Sequence, residues 1–187
     1  MVKEMTYNAQ KHHRRSIRLK GYNYSQAGAY FVTICTHNHI LFFEDDRIRG
    51  IAEQCWLEIP RHFRDIELDE WIIMPNHLHG ILSIGGEIIR RGTACRAPTP
   101  TNERFGKPTS GSLPTIVRSF KSAATKRRNN LRGTTRASVW QRNYHEHVIR
   151  NEAELNRLCW YILDNHVQWD MDENNPNFQG EPLCQLK

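Results

Sequence analysis

Trp71-Ile72-Ile73-Met74-Pro75-Asn76-His77-Leu78-His79-Gly80-Ile81-Leu82-Ser83-Ile84 is the stretch on which the reading of this chain turns. It is an apolar run, a Pro-Asn turn, and a second apolar run that opens on two histidines. The pattern predicts two strands, over 66–74 and 78–84, joined at Pro75-Asn76. Residues two apart in a strand share a face, so His77 and His79 are expected to project together while Leu78 points into the core. Two imidazoles on a rigid strand can bind one divalent metal ion when oxygen or amide ligands complete the shell. A His-x-His pair taken alone is more often structural than metal-binding, so the metal reading rests on what surrounds it.

Upstream, the β-branched and aromatic run over 29–36 predicts the first strand. A second pair, His37 and His39, falls where that strand should end, on a less rigid platform. Asp45 and Asp46 offer an N-cap. Ile48, Ile51, Ala52, Cys55, Trp56 and Ile59 then recur at helical spacing, which predicts an amphipathic core helix that Pro60 ends or kinks.

Downstream, Gly85-Gly86 closes the hairpin, and 86–111 reads as a mobile basic insertion. Pro114 suits the first turn of a helix whose apolar stripe is Ile116, Val117, Phe120, Ala123 and Ala124. Arg118, Lys121, Lys126, Arg127 and Arg128 lie on that helix. They are either solvated surface charges or, with a DNA ligand, phosphate contacts. A short strand is expected to begin at Val139 and run through Ile149. It contains a third pair, His145 and His147, a poorer platform because Glu146 between them would have to face the core. Asn151 and Glu154 resemble a capping box. The helix after them buries Leu155, Leu158, Cys159 and Ile162, and sets Tyr161 and Asn165, four apart, on one side at the edge of its apolar face.

The chain has 187 residues and a formal charge of +6. Residues 86–136 carry twelve Lys/Arg against Glu87 and Glu103, so this segment holds +10 and the rest is net acidic. That asymmetry favours a polyanionic partner. Five cysteines in no Cys-x-x-Cys pair indicate neither a disulfide framework nor a cysteine zinc site, and reduced cytosolic thiols are the simplest reading. With no secretory signal and no long apolar run, a soluble cytoplasmic protein is expected. Residues 1–26 read as a basic arm containing Arg14 and Arg15, 27–169 as the folded domain, and 170–187 as an irregular tail. The element order strand, helix, strand, strand, helix, strand, helix predicts an α+β fold. Its core is a ferredoxin-like β-α-β-β-α-β antiparallel sheet with helices on one face, and the C-terminal helix is an addition.

Met74-Pro75-Asn76-His77-Leu78-His79-Gly80 resembles the His-hydrophobic-His motif of the single-tyrosine HUH transposases. Tyr161-Ile162-Leu163-Asp164-Asn165 is similar to the nucleophile helix of the same family. The segment from Trp140 to Arg150 is similar to the one preceding that helix in the REP-associated tyrosine transposase branch. The resemblance spans residues 28–169 and departs from the branch at His166, where proline is usual.

The resemblance implies an enzyme that cleaves and rejoins single-stranded, hairpin-bearing DNA by transesterification, acting in the bacterial cytoplasm at the nucleoid. It implies Tyr161 as the catalytic nucleophile, forming a 5′-phosphotyrosine, and His77, His79 and Asn165 as ligands of Mg²⁺ or Mn²⁺. Tyr144, beside His145, competes as a nucleophile, but its place in the motif and the lack of an amide four residues on favour Tyr161. Arg14, Arg15, Arg118, Lys121, Lys126, Arg127 and Arg128 are the expected DNA contacts. The partners implied are DNA hairpins from palindromic repeats or element ends, with the protein a monomer or homodimer. Two other readings stand beside it: a domesticated hairpin-binding protein without cleavage, and a metal-dependent RNA-binding protein or nuclease. The latter would be expected to carry RNA-recognition aromatics, which the first strand lacks beyond Tyr30 and Phe31.

Overall fold

The computed structural model describes residues 22–85, 109–172 and 175–178. Arg14, Arg15, most of the expected arm and most of the expected insertion lie outside these residues. Four strands, β1 (Gly28–Cys35), β2 (Ile66–Met74), β3 (His77–Ile84) and β4 (His145–Ile149), form one antiparallel sheet in the order β2-β3-β1-β4. That is the ferredoxin-like order expected from the sequence.

Helices α1 (Asp46–Leu57) and α3 (Leu113–Arg132) pack together on one face, with the short α2 (Ile59–His62) after α1. Their core joins Tyr30, Val32, Ile34, Leu78 and Leu82 of the sheet to Trp56, Ile116 and Phe120. Helix α4 (Glu152–Asp164) covers the other face, where Ala29, Phe31, Ile81 and Ile149 meet Leu155, Leu158 and Ile162. The expectation of helices on one face therefore holds for α1 and α3, and the added helix fills the second. Strand β3 is buried along all eight residues because it is central and covered on both sides.

Local chemistry explains the element ends. Asp45 Oδ1 accepts from the Arg47 amide at 3.0 Å and caps α1. Pro60 sits in the first turn of α2, so the apolar helix breaks at Glu58. Gly133 closes α3 in the left-handed region at φ 61°. Asn151 Oδ1 accepts from the Glu154 amide at 2.9 Å to start α4. The Glu154 carboxylate reaches the Arg150 amide instead of the cap residue's own, and also His147 Nε2 at 2.7 Å.

The last strand is shorter than expected. Residues before His145 leave the sheet, pairing with it through the Thr36–Trp140 bridge. The carbonyls of Gln141 and Asn143 are taken by the Lys121 ammonium, so this segment finds its partners on α3. Alone, a helix of α4's length would be marginal in water. Burying Leu155, Leu158 and Ile162 contributes roughly 1.5–3 kcal/mol each as an upper bound, and holds α4 on the sheet.

Candidate active site

The site lies on the α4 face of the sheet. His77 and His79 are fully and almost fully buried, and both point to this face while Leu78 enters the opposite core. Their rings meet edge to face with centroids 4.5 Å apart. His79 also stacks on Phe31 of β1 at 5.4 Å. Gly80 is what lets the next position lie flat: a Cβ there would come within 2.4 Å of Trp56 Cζ2.

Neighbouring side chains orient both rings. Asn76 is fully buried and donates through Nδ2 to the His39 carbonyl at 3.3 Å, which turns its Oδ1 toward His77 Nδ1 at 2.9 Å. A carbonyl oxygen only accepts, so neutral His77 carries its proton on Nδ1 and offers Nε2 as a lone pair. Thr33 Oγ1 stands 2.9 Å from His79 Nδ1 and can hold that ring in the same tautomer. The two Nε2 atoms are 3.0 Å apart.

Burial drives both imidazoles toward the neutral form, which is the form that binds metal. His77 is pulled down to about 4 by desolvation, with the Asp172 carboxylate opposing and His39 assisting. His79 is held well below its usual value by desolvation, then by His77 and His145.

Tyr161 reaches the pair from α4. Its hydroxyl is 3.4 Å from His79 Nε2, and its ring lies edge-on to His79 at 5.3 Å and to Phe31 at 6.1 Å. It is 37% exposed, so the hydroxyl sits where a buried cluster meets solvent. Asn165, one turn on, is 6% exposed, and its Oδ1 has no hydrogen-bond partner among the described residues. A buried amide oxygen without a donor carries a desolvation penalty that a cation would relieve.

A carboxylate that the sequence reading did not single out joins the histidines. Asp172 Oδ2 lies 3.5 Å from His77 Nε2, and its side chain is 9% exposed. A 3₁₀ turn, Trp169–Met171, brings the chain back over the site, with the Trp169 ring 6.0 Å from His77. Asn175 Nδ2 donates to the Trp169 carbonyl at 3.1 Å and ties that return down. His77, His79 and Asp172 form a group whose donor atoms lie within 4.8 Å of one another and could hold a metal ion. Two donors each about 2.1 Å from one ion at a right angle are about 3.0 Å apart, which is the separation of the two Nε2 atoms. The donor set therefore fits a divalent ion.

The other expected residues fall elsewhere. Tyr144 is buried in the core on the α1 and α3 face, away from the histidine pair. His39 lies in a 3₁₀ turn, its Nε2 bonded by Gln141. Lys121 is drawn down to about 8 by burial and bonds the Gln141 and Asn143 carbonyls. Arg127 makes a two-pronged pair with Glu58, and Arg128 lies over the Phe42 ring at 4.7 Å. Arg118 and Lys126 are exposed. Asn76 and Thr33 were legible only as a turn residue and a strand residue. Asp172 sat in an acidic stretch of an expected tail, with no spacing to link it to His77.

No family model matches the chain. An uncharacterized protein of Haemophilus influenzae is 39% identical over 179 residues, which is 89% of this chain and 96% of that protein. Among solved structures, a REP-associated tyrosine transposase bound to a REP hairpin aligns with a TM-score of 0.55 at 18% identity. The alignment covers 82% of this chain and 73% of that one. Among the described residues no helix is long and apolar enough to cross a membrane.

Proposed function

The chain belongs to one family with the Haemophilus influenzae protein and shares the fold of the hairpin-bound transposase, and from that premise we propose that it is a metal-dependent single-tyrosine DNA transposase or nickase. One observation carries the reading. The hydroxyl of a part-exposed tyrosine, Tyr161, lies 3.4 Å from Nε2 of His79, one of a buried histidine pair whose Nε2 atoms are 3.0 Å apart.

The tyrosine oxygen is the nucleophile. The bond from Tyr161 Oη to phosphorus forms as the bond from phosphorus to the 3′ oxygen breaks. The phenol gives up its proton, and the departing 3′ oxygen gains one. The products are a 5′-phosphotyrosine and a free 3′-OH, and the reverse attack by another 3′-OH rejoins strands. Splitting the reaction through a covalent intermediate replaces one hard step with two easier ones. Helix α4 holds Tyr161 beside the histidines before substrate arrives, which lowers the entropic part of the barrier.

His77 and His79 would hold the ion, with an oxygen donor from Asn165 or Asp172. When bound, a divalent ion supplies Lewis acidity toward the phosphate oxygens. Mixed imidazole and oxygen donors fit Mn²⁺ or Mg²⁺, the nitrogens favouring Mn²⁺. Because Tyr161 reaches His79 within one chain, the arrangement supports a site complete in a monomer.

The substrate we propose is single-stranded DNA carrying a hairpin, a reading supported by the transposase of like fold, which is bound to a REP hairpin. Arg118 and Lys126 are the α3 cations free to face a phosphate backbone. Arg14 and Arg15 would add to them. Lys121, Arg127 and Arg128 are engaged within the fold, so they act mainly by shaping it.

The test is a denaturing gel of the protein with labelled hairpin DNA from the flanks of its own gene and Mn²⁺. A shifted covalent band, absent with Tyr161→Phe and with EDTA, is the expected result. Hairpin binding with no band from any substrate would replace this reading with that of a binding protein without cleavage.

A further inference from the structure

Tyr161 lines a second feature besides the histidine cluster. An open cleft of about 380 Å³ runs along the outer side of α4, lined by Arg157, Trp160, Tyr161, Leu163, Asp164 and Gln168. Trp160 is 72% exposed, the most solvent-exposed large hydrophobic side chain among the described residues, and nothing in the fold of the site explains it. An exposed indole held on a stable helix offers a flat face on which a ring can stack.

We propose that Trp160 is a stacking platform for one unpaired nucleobase of the DNA strand whose backbone Tyr161 attacks. This deepens the proposed function and rests on it for the identity of the strand. Three observations carry it. Trp160 is the immediate neighbour of Tyr161, and both line the same cleft, so a base there belongs to a nucleotide at or next to the attacked phosphate. The cleft lining combines the Trp160 face with Arg157, whose side chain is 48% exposed with its guanidinium 3.8 Å from Glu154, and with the Asp164–Gln168 pair, which hydrogen-bond each other. Aromatic face, cation and polar acceptors suit a nucleotide: the ring stacks, the phosphate meets the guanidinium, and base amines meet the carboxylate. Trp160, Tyr161 and Leu163 are also exposed together along this cleft, which leaves the indole face open to a base.

A second copy of this chain is the competing occupant. The large apolar side chains exposed on α4 and just beyond it are Trp160, Tyr161, Leu163 and Val167. Arg157, Asp164 and Gln168 lie among them along the cleft, whereas the centre of a stable homodimer interface is apolar and poor in charge.

The experiment measures equilibrium binding by fluorescence anisotropy with the full chain in a Tyr161→Phe background, so that no covalent product forms. The probes are a labelled hairpin with a single-stranded flank from the gene's own surroundings, a series in which an abasic site is moved along that flank, and a dT oligonucleotide. Trp160→Ala is expected to weaken hairpin binding roughly tenfold, with Trp160→Phe staying close to the parent. One abasic position should reproduce the loss in the Trp160 protein and add nothing in Trp160→Ala. Because Trp160 is exposed, circular dichroism should show all variants folded alike.

Unchanged affinity in Trp160→Ala overturns the proposal, as does an abasic effect that persists in that variant. If sedimentation shows a dimer that Trp160→Ala dissociates while DNA affinity is unchanged, the occupant is a second copy and the proposal falls. The readout does not need cleavage. The abasic pattern without any covalent band in the Tyr161 protein upholds the platform while the cleavage reading fails. A covalent band without the pattern does the reverse. No binding to the hairpin or to dT overturns both.

Discussion

The hydroxyl of Tyr161 on α4 stands 3.4 Å from Nε2 of His79 on β3, across 82 residues of chain. The alternative tyrosine, Tyr144, belongs to the core on the far side of the sheet. Tyr161→Phe is therefore expected to abolish the covalent DNA adduct while leaving the melting curve nearly unchanged. Tyr144→Phe should leave the adduct and change stability by about 1 kcal/mol. An adduct that survived Tyr161→Phe would remove the helix α4 assignment.

Metal affinity separates the two oxygen candidates. Loss of His77 or His79 by substitution to alanine should eliminate Mn²⁺ binding measured by titration calorimetry. Asn165 has a buried oxygen with no partner among the described residues, and Asp172 a carboxylate 3.5 Å from His77. We expect both Asn165→Ala and Asp172→Ala to weaken binding, by at least about 10-fold for whichever ligates directly. An unchanged isotherm for one assigns the ligand to the other.

Thr33 offers a test of ring orientation without touching a ligand. Its hydroxyl lies 2.9 Å from His79 Nδ1. Thr33→Val keeps the shape and removes the hydrogen bond, so Mn²⁺ affinity should fall about 10- to 100-fold with the fold intact. Equal affinity for the two proteins would mean that stacking on Phe31 alone orients His79.

Stability should depend on pH through the same pair. Both histidines bind protons less readily when folded than when unfolded. Where the unfolded chain holds more protons, stability rises with pH. The stabilising effect of burying them neutral is thus complete above the ordinary histidine value of about 6.5. It is lost as pH falls toward the folded His77 value of about 4. Urea midpoints in EDTA should drop across that window, and the drop should shrink in His77→Gln. A flat profile there would mean that the cluster admits water.

Gly80 is set by packing. A methyl group there meets the buried Trp56 ring, which itself packs edge-on to Phe120 with centroids 5.3 Å apart and has little room to shift. Gly80→Ala should destabilise the protein by roughly 1–3 kcal/mol, read from chemical denaturation. A smaller change would show that α1 yields.

Much of the site was legible because it is local. The two-residue period of β3 puts His77 and His79 on one face whatever the rest of the chain does, and the four-residue step from Tyr161 to Asn165, the C-cap of α4, sets both on one side. The caps at Asp45 and Asn151 and the break at Pro60 are likewise chemistry within a few residues. The strand expected over 139–149 is shorter in the fold, and nothing in its own composition tells that Lys121, twenty residues before Gln141, binds its carbonyls. The same lysine read as a free cation because its burial depends on that loop.

The sequence by itself determined the element order, the paired histidines, the tyrosine and amide on one helix, and the excess positive charge of residues 86–136. All follow from backbone periodicity, side-chain propensity and composition, which act over one or two turns. Only the tertiary structure decided which tyrosine meets the histidines, that Asp172 returns to His77, that Asn76 and Thr33 orient the rings, and that Trp160 remains in solvent. The Tyr161, Asp172 and Thr33 contacts join segments tens of residues apart, and Asn76, though next to His77, is turned by the His39 carbonyl. Their geometry is set by how two cores on opposite faces of one sheet bury their apolar groups, a condition that the whole chain meets at once and that no short stretch encodes.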